Sequence, residues 1–275
     1  MTMDPREPPA PPPLDVMKAV AEAGDRDLPI AEAALALAAF ERPGVDPAHY
    51  HRHLARIAAE MAAAAAPGAE PAEVLAAVMA EGFDYRGDRD SYDDLQNANL
   101  MRVIDRRRGL PVALGILYLH AARAAGWRAA GLAFPGHFLI RVEGAGRRVI
   151  LDPYHDGRRC EAADLRALLG EGRDLDPRHY AEVPDRQVLL RLQNNIKTRQ
   201  VQAERFEEAA NVLETMLLMA PGEPALWREA GLVYARIENY RAAIAALETY
   251  VLLSGDDGGR HAVAGLLQRL KGRLN

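Results

Sequence analysis

Residues 97–127 read NANLMRVIDRRRGLPVALGILYLHAARAAGW, and from 112 to 125 that string is apolar nearly all round. A helix with no polar face must be covered on more than one side, so this segment is expected at the centre of a domain. Gly109 and Pro111 break the chain and restart it there. Pro111 suits a first helical turn, where no N–H is needed, and Gly126 is the expected stop. Beyond Gly126 the period changes. Residues 128–133, 138–142 and 148–151 are short runs of β type, separated by Pro135-Gly136 and Gly144-Ala145-Gly146 turns. The few residues joining the last two runs predict an antiparallel hairpin.

Upstream, alanine-rich segments predict helices over 15–23, 29–41, 47–65 and 71–79, with another over 94–105. Downstream, a helix is expected over 161–169, then a loop through Pro177 and Pro184. The last third repeats itself. Phe206 and Tyr240, Ala209 and Ala243, and Leu213 and Leu247 are each 34 residues apart, a period that resembles tetratricopeptide repeats. Two helix pairs are therefore expected over 186–253 and a capping helix over 263–274. The expected fold class is α+β, mostly helical: a helical N-terminal region, a core with a small antiparallel sheet, and C-terminal helical hairpins. The expected divisions are a disordered proline-rich tail over 1–14, a core domain over 15–185 and a repeat region over 186–275.

The bulk composition narrows the function classes. With 49% hydrophobic and 27% charged residues in a chain of 275, the balance is that of a globular protein. A formal net charge of −5 gives no general attraction to nucleic acid, which needs clustered cations to displace counterions. The run Arg106-Arg107-Arg108 reads either as a contact for an acidic partner or, more commonly, as a solvated helix end. No apolar run reaches the roughly 18 residues that cross a bilayer, so no membrane partner is expected. The single cysteine, Cys160, excludes an intrachain disulfide and a multi-cysteine zinc site. It fits a reducing compartment, of which the cytoplasm is the simplest. His49 and His53 would share one helix face, yet no third ligand stands at a fitting position, so no metal and no cofactor are expected.

The order of elements carries the chemical argument. Thiol hydrolases place a thiolate at a helix N-terminus, where unpaired N–H groups and the helix dipole lower its pKa. A histidine exchanges protons, and an Asp or Asn orients its ring. Here the buried helix, His137 at the start of one strand and Asp152 at the end of the next come in that order. The helix start holds no Cys, Ser or Thr. Between Asp88 and Gln187 those residue types occur only at Ser91 and Cys160.

The quoted string, with FPGHFLIRV at 134–142 and ILDPYHDG at 150–157, resembles the bacterial SirB-type family, a transglutaminase-like domain joined to tetratricopeptide repeats. The resemblance implies a papain-like fold and carries over Asn97, Pro111, His137, Arg141, Asp152 and Gly157 as motif positions. Against the Gly-x-Cys motif of active transglutaminase-like domains, Gly109 matches the glycine and Pro111 the cysteine. A shift of one or two residues puts Val112 or Ala113 there instead, and none of the three attacks a carbonyl.

Each candidate also has a structural use. His137 and Asp152 form either a working or vestigial catalytic pair, or a buried bond tying two strands. Arg141 clamps a substrate carboxylate, or pairs with Asp152 or a helix end. Asn97 is expected to bond the Gly109-Leu110-Pro111 turn. Cys160 is either a recruited nucleophile or a small buried hydrophobe, and Tyr118, His120 and His155 are conceivable accessory groups. The leading expectation is a non-catalytic module that binds a protein or peptide partner through the cleft and the repeat surface. The alternative is a hydrolase or thiol enzyme using His137 and Asp152 with water or Cys160.

Overall fold

A computed structural model describes residues 11–24, 28–170 and 172–274, so most of the expected tail lies outside the described residues. Its last two residues belong to a helix instead: α1 covers Pro13–Glu22. The chain divides into two compact units, one running through Leu192 and one from Gln193 onward, to which Met17–Glu22 also belongs. The division falls inside one helix, beyond the boundary expected at 185.

In the first unit α2 (Ile30–Glu41), α3 (Ala48–Ala64) and α4 (Pro71–Leu75) precede α5 (Leu100–Arg106) and α6 (Pro111–Ala124). Helices α2 to α5 all pack on α6. That arrangement follows from the sequence of α6, in which Val112 to Leu119, together with Ala121 and Ala122, is buried. Helix α4 runs on as a π-helical segment, Ala76–Gly82, past the stop expected at Met79. The helix expected over 94–105 is broken in two, a 3-10 turn at Leu95–Asn97 and then α5. The cause is local capping: the side chain of Asp94 accepts from the N–H of Gln96 and that of Asn99 from the N–H of Arg102.

Seven short strands complete this unit: β1 (Arg86–Gly87), β2 (Arg108–Gly109), β3 (Arg128–Leu132), β4 (Ile140–Gly144), β5 (Arg147–Asp152), β6 (Arg158–Arg159) and β7 (Glu182–Val183). β1 and β2 pair in parallel, and the others form an antiparallel sheet in the order β6-β5-β4-β3-β7. The hairpin β4–β5 turns at Ala145 and Gly146, both with positive φ. One face of the sheet packs toward α6. There Phe138 enters a notch at Gly115, where an added Cβ would lie 2.2 Å from the ring. The other face buries Leu132, Leu139 and Cys160 against Leu165 and Leu169 of α7 (Ala162–Leu169).

α8 (Asp185–Gln202) starts with a buried anchor. Asp185, 3% exposed, accepts two bonds of 2.8 Å from the fork of Arg123 and a third from the N–H of Leu28 at 3.0 Å. The second unit continues with α9 (Phe206–Met219), α10 (Pro224–Arg236), α11 (Tyr240–Leu253) and α12 (Asp257–Leu274), so the capping helix begins six residues earlier than the expected 263. The repeat positions pack as the 34-residue period requires: Ala243 and Leu247 are fully buried, with Trp227, Tyr234 and Tyr240 against their cluster. An added Cβ at Gly231 would lie 2.5 Å from Leu247, so α10 and α11 meet at that glycine.

Removing one partner of a buried ion pair leaves the other charge desolvated and unpaired. Asp185→Ala is expected to lower the stability of the full chain by about 3–5 kcal/mol in chemical denaturation. A loss below about 1 kcal/mol, the range of exposed pairs, would contradict this anchor.

Candidate functional site

The start of α6 is where a nucleophile would stand. Pro111 occupies its first turn after an extended Leu110, without a side-chain cap. The turn is held from behind: the N–H of Leu110 donates to the carbonyl of Asn97 at 2.9 Å, and β1 lies beside Arg108 and Gly109. Asn97 is fully buried, and its side chain faces other partners. Its amide donates to the carbonyl of Ser91 at 2.6 Å, and its oxygen accepts from Arg106 at 2.9 Å. The Ser91 hydroxyl donates to Asp88 at 2.7 Å. Burial alone would raise the Asp88 carboxyl, but bonds from the Ser91 N–H and hydroxyl and from Arg106 outweigh it and hold it well below the usual carboxylate range. Ser91 is therefore a loop clamp, bonded to a carboxylate.

The two residues expected to pair across strands make different bonds. His137 lies in a bend after the Pro135-Gly136 turn, because β4 begins only at Ile140, two residues later than the sequence suggests. Among the described residues its imidazole has no hydrogen bond; its carbonyl accepts from Arg191 at 3.0 Å, and its ring centroid is 6.3 Å from that of Phe134. Asp152, 2% exposed, instead caps the 3-10 turn Pro153–His155. One oxygen accepts from the N–H groups of Tyr154 and His155; the other bonds His155 Nδ1 at 2.7 Å. The cause is local. An N-cap carboxylate brings the side chain three residues on within reach, so the spacing Asp-Pro-x-His was the available signal. Because Nδ1 faces the carboxylate, the other ring nitrogen of His155 is directed away, and the side chain is 40% exposed.

Of the remaining candidates, Cys160, Arg141 and His120 are also committed. Cys160 is 5% exposed, and its thiol contacts the carbonyl of Arg158 at 3.8 Å. Burial, with a smaller push from Asp152, raises the thiol to about 11, so it is protonated near neutrality. Arg141 bonds Glu182 and the carbonyl of Tyr180 and pairs with Glu143 at 3.1 Å; Asp152 is not its partner. His120 bonds the Leu54 carbonyl at 3.0 Å and thereby straps α6 to α3. The Tyr118 hydroxyl is buried and makes no hydrogen bond among the described residues, next to Gly157, whose φ is +71°. A cleft of about 430 Å³ lies on the β1 side, bordered by Arg86, Arg89, Arg108 and Asp156. Neither His137, Asp152, Pro111 nor Cys160 lines it. Sequence reading reached only the run Arg106-Arg107-Arg108, as a contact for an acidic partner or a solvated helix end, because the lining residues come from three separate segments.

A buried helix with a proline-started first turn, a Pro-Gly-His turn leading into an antiparallel hairpin, and repeats later in the chain define a class. The chain belongs to the transglutaminase-like superfamily, whose family model matches residues 48–194, and a tetratricopeptide repeat model matches 196–268. Its relatives are the UPF0162 (SirB-type) proteins of bacteria. A UPF0162 protein of Xylella fastidiosa is 28% identical over 251 residues, covering 87% of this chain and 89% of the relative. Another, from Pseudomonas aeruginosa, is 29% identical over 233 residues, covering 82% and 84%. The F-box only protein 21 of Homo sapiens is 23% identical over 206 residues, covering 69% of this chain and 32% of that protein.

His53 shows how a paired histidine in this fold behaves. Its Nε2 lies 2.6 Å from Arg107 Nη1 and 2.8 Å from the Tyr85 hydroxyl. A guanidinium only donates, so Nε2 is the acceptor and the ring is neutral. That arrangement leaves no lone pair there for a metal. Burial first, then the charges of Arg107 and Arg56, lower its pKa from 6.5 to about 3. The unfolded chain takes up a proton that the folded chain refuses, so this contribution is complete above pH 6.5 and is lost as pH falls toward 3. Stability of the full chain is expected to fall across that window, less steeply in His53→Gln; equal slopes would contradict a neutral His53.

Proposed function

We propose that this transglutaminase-like protein is non-catalytic and recognises a protein or peptide, with the tetratricopeptide unit as one binding surface. The observation that carries the reading is the residue at the helix start. Pro111 has no nucleophile and no N–H, so it offers neither an attacking atom nor a backbone donor for an oxyanion. The partners of the other expected catalytic groups support it. Asp152 is bonded to His155, and the imidazole of His137 has no carboxylate to orient it. Tetratricopeptide repeats bind through their surfaces, which makes a macromolecular partner the natural ligand. A reducing location such as the cytoplasm suits a chain with one buried thiol.

The experiment is labelling of the full chain with a thiol-directed electrophile near neutral pH. Slow modification, unchanged in His137→Ala, is expected for a thiol held at about 11 and buried. Fast labelling that disappears in His137→Ala would make Cys160 an activated nucleophile and end the non-catalytic reading.

A further inference from the structure

We propose that the cleft on the β1 side binds an acidic peptide segment, whose carboxylates are gripped by Arg89 and Arg108. The proposal rests on the binding reading above and gives that reading a ligand chemistry and a place. The cleft encloses about 430 Å³, within the range of about 300–1,000 Å³ usual for ligand sites.

Its charges divide into spent and unspent. Arg106 is paired with Asp88 at 2.9 Å, and Arg86 with Asp84 at 2.7 Å and Asp156 at 3.3 Å. These pairs are made within the protein. Arg108 is different: its bonds to Asp84 and to the carbonyls of Asp84 and Arg107 all run through Nη1. They fix the guanidinium plane and leave Nε and Nη2, a parallel pair of donors, unused. Arg89 is exposed and makes no hydrogen bond or ion pair among the described residues. Two guanidinium forks, one already oriented, therefore border one concavity.

A guanidinium fork matches a planar carboxylate with two parallel bonds. Phosphate offers oxygens too, but it carries up to two negative charges at neutral pH and would meet Asp90 and Asp156, which line the same cleft. A peptide spreads its charge over separate carboxylates, one at each arginine, so each brings one charge and concentrates less repulsion than a phosphate dianion at a single point. The acidic side chains of a peptide suit the cleft best.

The test is fluorescence anisotropy with the full chain and a fluorescein-labelled peptide of alternating Glu and Gly, beside the same peptide with Gln for Glu. The Glu peptide is expected to bind, the Gln peptide not, and salt to weaken the complex. Arg89→Ala, which breaks no bond within the protein, is expected to retain its melting temperature and to weaken binding roughly tenfold. Arg108→Gln should weaken it similarly. Absence of Glu-peptide binding, or equal binding by both variants and wild type, would overturn the cleft and leave the non-catalytic reading standing. Displacement by inorganic phosphate at lower concentration than by free glutamate would also overturn it. Arg89-dependent binding followed by cleavage of the peptide would uphold the cleft and end the non-catalytic reading.

Discussion

A helix with apolar side chains on every side has no stable position except inside other structure, and α6 imposes that condition on the first unit. Four helices, the 3-10 turn after β5 and the sheet lie against it. The sheet reaches it through Phe138, and the fit requires Gly115, since any side chain at that position would occupy the space of the ring. Arg123, near the end of the same helix, fixes the start of α8 through Asp185. The position of the helix start, and so of Pro111, follows from this packing.

At that start stands a proline, and the carboxylate expected to serve the site is bonded elsewhere. Proline at the first turn costs a helix nothing, because the N–H it lacks has no partner within the helix. The same lack removes a donor that would have faced a developing oxyanion. Asp152 accepts the N–H groups of Tyr154 and His155 on one oxygen and bonds His155 Nδ1 with the other. A carboxylate engaged in this way does not orient His137, which sits in a bend beyond the last strand pairing, Ile140 with Leu151. Both observations agree with the non-catalytic reading proposed above: without a nucleophile, no imidazole needs aligning.

Features carried by a long run or a repeat were legible in the sequence, and those carried by two or three residues were not. α6 showed as an apolar run without a polar face, the β4–β5 hairpin as two β-type runs around a glycine turn, and the repeats by their period of 34; all three are present, with β4 beginning two residues late. β1, β2, β6 and β7 have two residues apiece, too few to show alternation. The split of 94–105 depended on the caps Asp94 and Asn99, whose side chains compete for the backbone in a run that otherwise reads as helical. At the site, chain order suggested His137 with Asp152. Asp152 ends β5 as the N-cap of the next turn, which brings His155 within reach, whereas His137 lies in a bend beyond the start of β4. Of the arginine cleft only the run Arg106-Arg107-Arg108 left a sequence signal, as one of two readings, since residues 86–91, Arg106, Arg108 and Asp156 meet only after folding.

The claim on which this account turns is that Asp152 holds His155 and leaves His137 free. Long-range proton–nitrogen correlation NMR of the imidazoles, in wild type and Asp152→Asn, tests it most directly. The account predicts that the His155 ring nitrogens shift in the variant while those of His137 stay in place. Movement of the His137 nitrogens with His155 unchanged would contradict it and restore the catalytic pairing.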